Sequence, residues 1–592
     1  MTTRTPEPEA PSPAAGAGGR SAVATWTVVA AFGVVAVPFA VAIVRLLAAS
    51  GSHLTLPDDL ALIDLHTREA LRWQQQLGVF DHNGWNHPGP TYFYLLSVAY
   101  RLLGSGARAM FVGATTVNAL SALACVWVVL RRAGPGRALW AAVWVALLGV
   151  MVVGTGPGSL TYSEGALGAL VSPWNPTVVT FPLLLLLLLC AAAVARSGLS
   201  LLGALVVGSF IVQTNISCLP VVAAVLVVAA AGWVATLVRD RRRGDAGADD
   251  DRVTADPGAT GHRRRPIGWA VAGVVALVAM WVPPVVQQLT NHPGNLTLIW
   301  RFFSAHHPGT SLGAALWTLA AVEGIVVEGT SEVMGSLLGT APAHAGVAVA
   351  VTVVVVGLGI GVVVAGVRQR ARFAAALGGL GLVGTAATVV AADRVVGPIF
   401  GYLVVWAVAV PVAVLIGVGL PAWPRPRLAG GRPLSTTPSA RVVLAAAGVV
   451  VAVVLSGQVL GLPSLDTVSD PVVGELAALV TPRLPPGSVV FVGDNGFESD
   501  RCAPQLIPTE EFIGLVDQLD ERGYHPKVNA FWQAQFGPGF QSDGHEPTQV
   551  ELSQWTSASP AQPGYRGRIG EIAVTVSDTP DNLPASHCPT GL

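Results

Sequence analysis

Hydrophobic and polar positions along this chain fall into long blocks instead of a short alternation. The first apolar block runs from about Ser21 to Ala48, roughly long enough to cross a bilayer, for which about 20 residues suffice. It has no convincing small-residue cleavage site, so it reads as a retained helix and not as a signal peptide. Further apolar blocks lie near 109–130, 138–156, 177–195, 199–217, 219–238, 267–287, 345–367, 373–392, 400–420 and 442–461, making eleven expected spans. Two other stretches fit the pattern poorly. Tyr92 to Leu103 is short, interrupted by Arg101 and preceded by Pro88 and Pro90, and reads as an interfacial helix. Ser311 to Leu338 is apolar but carries Glu323, Glu328 and Glu332, acids that are costly in lipid. That stretch is expected on the outer surface, partly re-entrant. Beyond Leu462 the pattern becomes that of a soluble domain. Ser488 to Gly493 reads as a buried strand, Thr509 to Gly523 as a helix with an acidic first turn and glycine after its end, and Ile569 to Val576 as a last strand.

The fold class expected is a polytopic α-helical membrane protein, with about 11 transmembrane helices and a small C-terminal extracytoplasmic α/β domain. Residues 1–20, rich in Pro, Ala and Gly, read as a disordered cytoplasmic tail. Residues 21–461 form the transmembrane domain, with the first outer loop at 49–108 and a cytoplasmic linker at 239–266, and residues 462–592 form the exported domain. Composition agrees, with 52% hydrophobic and only 12% charged residues, outside the range of ordinary water-soluble chains.

Charge placement adds orientation, because cytoplasmic loops accumulate Arg and Lys. With the N-terminus inside, the cytoplasmic segments receive Arg131, Arg132, Arg137, Arg196, Arg239, Arg241, Arg242 and Arg243. The same side takes Arg252, Arg263, Arg264, Arg265, Arg368, Arg370, Arg372, Arg425, Arg427, Arg432 and Arg441. The opposite loops before the C-terminal domain hold only Arg68, Arg72, Arg101, Arg108, Arg301 and Arg394. Of the five cysteines, Cys125, Cys190 and Cys218 lie in or beside apolar blocks, and no metal-binding spacing exists. Cys502 and Cys588 lie in the exported domain, and are expected to form a disulfide there.

Candidate chemistry concentrates between Pro57 and Gly104. Asp58 and Asp59 open an expected helix that also carries Asp64 and His66, and the string Trp85-Asn86-His87-Pro88-Gly89-Pro90 follows, ahead of the aromatic run that begins at Tyr92. An acid after Pro57 is an ordinary helix start, and two prolines and a glycine make an ordinary rigid turn. No P-loop and no dinucleotide-binding glycine motif occurs in a strand-to-helix setting.

Taken together these strings resemble the first outer loop of the GT-C glycosyltransferases, membrane enzymes that take sugar from a polyprenyl-phosphate carrier. Ser172-Pro173-Trp174-Asn175-Pro176, Gln213-Thr214-Asn215, Pro283-Pro284-Val285-Val286-Gln287-Gln288 and Pro293-Gly294-Asn295 extend the resemblance, in order, over about Ser21 to Gly461. Related sequences often carry His where this one has Asn215.

The resemblance implies inverting transfer of a hexose or pentose to a cell-envelope glycan or lipid acceptor. Asp59 is the acid matching the catalytic base, Asp58 its close competitor, and Asp64, Glu164 or Glu323 a second acid. Trp85, Asn86, His87, Tyr92 and Arg301 are expected at the donor phosphate or sugar, with Arg394 as a further outer arginine. The expected partners are a polyprenyl-phosphate sugar, the acceptor and membrane lipids, with no nucleic acid. No cofactor is implied by a motif. Asp58 and Asp59 are the two acids available to help a divalent cation, and two adjacent acids fall short of a site. The competing classes are a transporter or flippase of envelope lipids and a catalytically inactive GT-C-like scaffold. A transporter places ionisable groups near the midplane and often shows internal repeats; here the acids collect in loops and no repeat is evident.

Overall fold

A computed structural model describes residues 15–49, 54–104, 106–153, 168–195, 197–245, 264–305, 307, 309–328, 337–338, 344–421, 438–494, 509–555, 557, 559–562 and 564–578. The apolar blocks fold as helices, because in lipid every backbone N–H and C=O must find its partner within the segment. Helix α1 (Ala15–Ala48) leads to two shorter helices of the first polar loop, α2 (Asp58–Leu71) and α3 (Thr91–Leu103). Between these two lies a tight hairpin of β1 (Phe80–Asp81) and β2 (Trp85–Asn86). The bundle continues with α4 (Ala107–Ala133), α5 (Pro135–Val152), α6 (Asn175–Val178), α7 (Thr180–Val194), α8 (Gly198–Thr214), α9 (Leu219–Asp245) and α10 (Arg264–Thr290). It is completed by α11 (Asn295–Ser304), α12 (Leu312–Glu328), α13 (Ala345–Arg368), α14 (Arg372–Asp393), α15 (Ala409–Val418) and α16 (Pro438–Leu460). Among the described residues nine apolar helical segments are long enough to cross a membrane, in α1, α4, α5, the joined α6 and α7, α9, α10, α13, α14 and α16. Helix α1 packs on α4, α5 and α16, and α7 lies against α4, α8, α9 and α14.

Two expected spans take a different form. The block near 199–217 is the 17-residue helix α8, closed by a 3₁₀ turn at Ile216–Cys218. The block near 400–420 is broken. It opens with β4 (Ile399–Phe400), passes through 3₁₀ turns at Gly401–Leu403 and Val405–Val408, and becomes α-helical only in the 10 residues of α15. Pro411 explains where the α-helix begins, since it has no N–H to donate four residues back and so tolerates only the first turn.

The stretch expected on the outer surface, partly re-entrant, is buried along much of α12. Helix α12 packs against α13 and α14, and Glu323 on it is only 1% exposed, with Thr385 Oγ1 donating to its Oε1 at 3.2 Å. Both flanks of this segment meet the same end of the bundle. Thr310 Oγ1 donates to the Val395 carbonyl, and β3 (Leu337–Leu338) pairs antiparallel with β4. The described flanks of this segment, Thr310 and Leu337–Leu338, therefore lie at one end of the bundle.

Helix α3 has the expected amphipathic form, burying Tyr92, Phe93, Leu96, Ser97 and Tyr100. Leu95, Val98 and Leu102 are exposed.

The C-terminal region contains α17 (Pro471–Val480), α18 (Thr509–Glu521), the short α19 (Gln533–Phe536) and a five-stranded sheet. Its strands are β5 (Val489–Asp494), β6 (His525–Lys527), β7 (Thr548–Gln554), β8 (Tyr565–Ile569) and β9 (Ile572–Ser577), in the order β6-β5-β7-β9-β8. β5 runs parallel to β6 and β7, and β9 antiparallel to β7 and β8. Helix α18 ends as expected, with Gly523 in the left-handed region at φ 83°. The expected last strand is half of a hairpin, because β8 alternates exposed polar with half-buried positions and leaves little apolar signal. Cys502, Cys588 and Glu164 lie outside the described residues. Cys125, Cys190 and Cys218 are buried free thiols.

Candidate functional site

Helix α2 begins with Pro57 at the N-cap position, a residue that offers no side-chain cap. Asp58 instead adopts φ 43°, a left-handed conformation that Asp enters more readily than most residues. Asp59 follows in the first turn, where a negative charge is favoured by the helix dipole. Its carboxylate leaves the helix and accepts a hydrogen bond from Trp174 Nε1 at 2.8 Å. Burial is the larger influence and raises the Asp59 carboxyl above its ordinary range. The Trp174 bond opposes that rise, nearby Asp81 adds to it and His82 lowers it.

Trp174 is itself placed by its neighbours. Its backbone N–H donates to Ser172 Oγ at 3.2 Å, and Tyr92 fixes the preceding turn by donating its hydroxyl to the Pro173 carbonyl. The Trp174 ring lies 4.7 Å from that of Tyr402, which stacks on Phe400 at 5.7 Å.

The remaining strings converge on this end of the bundle. His87 is buried with both ring nitrogens engaged: the Ile216 N–H donates to Nδ1 at 3.2 Å, and the Asn175 carboxamide nitrogen lies 3.1 Å from Nε2. Burial pushes its pKa down to about 4, Asp81 opposing, so the ring is neutral near pH 7. Asn86 and Asn295 exchange bonds, the Asn86 N–H donating to Asn295 Oδ1 and Asn295 Nδ2 to the Asn86 carbonyl, each at 2.8 Å. Gln287 Oε1 accepts from the Asn295 N–H at 2.9 Å. Thr91 donates to Gln213 Oε1, and Gln213 Nε2 donates to the Met280 carbonyl at 3.0 Å. Asn215 Oδ1 caps the 3₁₀ turn, accepting from Ser217 N and Oγ.

Not every expected site residue meets Asp59. Asp64 accepts from Arg68 and from the Tyr100 hydroxyl, in a buried cluster on another part of α2. Tyr92 is buried and spends its hydroxyl on the Pro173 carbonyl. Trp85 is 3% exposed and packs on His87, Phe302 and Phe303. Its indole N–H is buried with no hydrogen-bond partner among the described residues. Arg301 and Arg394 are exposed.

Asp81, His82 and Tyr402 were not among the sequence candidates. Asp81 had one usable signal, its place in the Asp-His-Asn-Gly turn, where its Oδ1 accepts from the backbone and side chain of Asn83. Among the described residues no cluster of three or more His, Cys, Asp or Glu side chains is placed to hold a metal ion.

No family model matches the chain, and no curated protein matches it. Among solved structures it is similar to ArnT from Cupriavidus metallidurans in the apo state, at 15% identity and TM-score 0.52 over 94% of this chain and 98% of that one. ArnT bound to undecaprenyl phosphate gives 16% identity and TM-score 0.46 over 95% and 98%. The arabinofuranosyltransferase AftD from Mycobacteria gives 15% identity and TM-score 0.31 over 94% of this chain and 40% of that one. The likeness to apo ArnT shows the fold: the chain shares that protein's architecture, a bundle of apolar helices followed by a small C-terminal α/β region.

Proposed function

We propose that the protein is an inverting glycosyltransferase that moves a sugar from a polyprenyl-phosphate donor to a cell-envelope glycan or lipid acceptor. The observation that carries this reading is the Asp59 carboxylate, partly buried at the loop end of a GT-C-like bundle, oriented by Trp174 and raised above its ordinary range by desolvation. A base is most effective when its pKa approaches the working pH. In the proposed step Asp59 takes the acceptor hydroxyl proton as that oxygen attacks the anomeric carbon. The bond from that carbon to phosphate oxygen breaks, and its electron pair departs with the polyprenyl phosphate.

Asp58, strained beside the base, shapes the turn that aims it. His87, Asn86 and Tyr92 build the wall of the donor site, since their polar atoms already serve protein partners. Trp85 backs that wall by packing on His87, and the exposed Arg301 and Arg394 are cations available to the departing phosphate. Positive charge on the opposite loops supports an extracytoplasmic site.

The test uses full-length protein in nanodiscs with a panel of polyprenyl-phosphate-linked hexoses and pentoses and an envelope glycolipid extract, and reads the release of polyprenyl phosphate. Turnover of one donor that Asp59→Asn abolishes is expected. If no donor is consumed, and a deletion strain accumulates no lipid-linked sugar, the transferase reading fails.

A further inference from the structure

The helix that presents Asp59 is gripped from behind. Arg68 stands nine positions further along α2, and at about 100° per residue that spacing turns it to the face opposite Asp59. There its guanidinium, 4% exposed, serves three carboxylates. It donates through Nη1 to Asp64 on the same helix, through Nη2 to Asp517 Oδ1 and to the Asp517 carbonyl at 3.1 Å, and through Nε to Asp520 Oδ2 at 2.9 Å. Asp517 and Asp520 belong to α18 of the C-terminal domain. Arg72 also reaches Asp520, at 3.3 Å. His66 Nε2 donates to the Gln535 carbonyl at 2.8 Å. Ahead of the helix, Thr55 and Asp470 exchange bonds, the Asp470 N–H donating to the Thr55 carbonyl at 2.7 Å and Thr55 Oγ1 to the Asp470 carbonyl at 2.6 Å.

Such a cluster is a poor source of net stability, because desolvating its charges offsets most of their attraction. Asp517 shows the imbalance: burial raises its carboxyl well above the ordinary range in spite of Arg68, and its Oδ2 has no hydrogen-bond partner among the described residues. What the cluster does supply is geometry, since only the planar fork of arginine satisfies three acids in fixed directions.

We propose that Arg68 is a positioning residue for Asp59, through which the C-terminal domain holds α2 at the rotation that keeps the Asp59 carboxylate on Trp174. This rests on the role of Asp59 argued above. The lever is short: with a carboxylate about 5 Å from the helix axis, a rotation of about 20° moves it about 1.7 Å, enough to break the 2.8 Å bond to Trp174.

The experiment compares Asp520→Asn, Arg68→Lys and Arg68→Gln in full-length protein in nanodiscs, with activity normalised to folded protein and Asp59→Asn run in parallel. Two readouts are taken, the pH dependence of polyprenyl-phosphate-sugar turnover and amide hydrogen exchange over residues 58–63. A graded loss is expected, with kcat in Arg68→Gln about ten-fold lower and KM for the donor little changed. The acid limb of the rate profile moves to lower pH, because a loosened helix rehydrates Asp59 and burial outweighs the Trp174 bond among the influences on it. Exchange over 58–63 rises while the spans stay protected. If the limb stays in place and kcat falls only with the folded fraction, Arg68 is a structural tie and the proposal is overturned. Should Arg68→Gln not fold, Asp520→Asn carries the same test. Should Asp59→Asn remain active, the base assignment fails, and unchanged exchange in the Arg68 variants overturns the positioning role as well.

Discussion

Asp59 occupies a place that works against its own charge. Its carboxyl is raised in the folded protein, so folding favours the protonated form, and the stability this contributes at low pH is lost as pH rises through the folded pKa. Asp59→Asn keeps an oxygen for Trp174 and removes that burden. Turnover should fall by about 100-fold or more, while the unfolding temperature near pH 7 stays level or rises. Parallel loss of activity and stability would instead mark Asp59 as structural. Trp174→Phe removes the bond that opposes the rise, so the acid limb of the rate profile should move to higher pH. His87 shows the opposite sign. Its pKa falls from 6.5 to about 4 on folding, so its stability contribution is complete above the unfolded value and drains away as pH falls towards 4, by up to about 3 kcal/mol. In His87→Gln the protein should be weaker at pH 7, with a flatter stability between pH 6.5 and 4.5. Denaturant unfolding at the two pH values checks this.

Strings that looked weak one at a time meet in one cluster. Trp85 to Pro90, Ser172 to Pro176, Gln213 to Asn215 and Gln287 to Asn295 are joined by the contacts of His87 with Asn175, of Asn175 with Thr214 and of Asn86 with Asn295. Their order along the chain was legible, as were the long helices, because a lipid-facing segment must be uniformly apolar. The partners of His87 were not, since hydrogen bonds across 129 positions leave no periodic trace. Nor was the broken segment around Gly401, where an apolar block of the right length conceals 3₁₀ turns, or the burial of Glu323 on α12, in a stretch whose acids point to the surface. Gly78 tests how closely the loop must dock: a Cβ there would stand 2.8 Å from the Gln213 carbonyl oxygen and 2.9 Å from that of His87. Both are backbone atoms that cannot swing aside, so Gly78→Ala should destabilise by about 1–3 kcal/mol and shift the unfolding midpoint while the bundle's helical signal persists.

The two described flanks of the α12 segment lie at one end of the bundle, so the segment does not invert the loops that follow. The proposed orientation then predicts opposite labelling at two exposed sites. A cysteine replacing His82, whose side chain is 85% exposed, should react with an impermeant maleimide on intact cells. One replacing the exposed Arg370 should react only after permeabilisation, and reversed labelling would invert the topology. The grip of α18 on α2 also has a consequence in time. Asp517 follows Arg68 by 449 positions, which a ribosome adding about 5–20 residues per second covers in about 20–90 s. Through that interval the first loop is already threaded and the acid already made, yet the half of the grip that arrives last is still missing. A nascent or prematurely terminated chain, inserted in the membrane among charged carrier lipids, is thereby expected to be idle, and catalytic competence becomes a property only of the finished polypeptide.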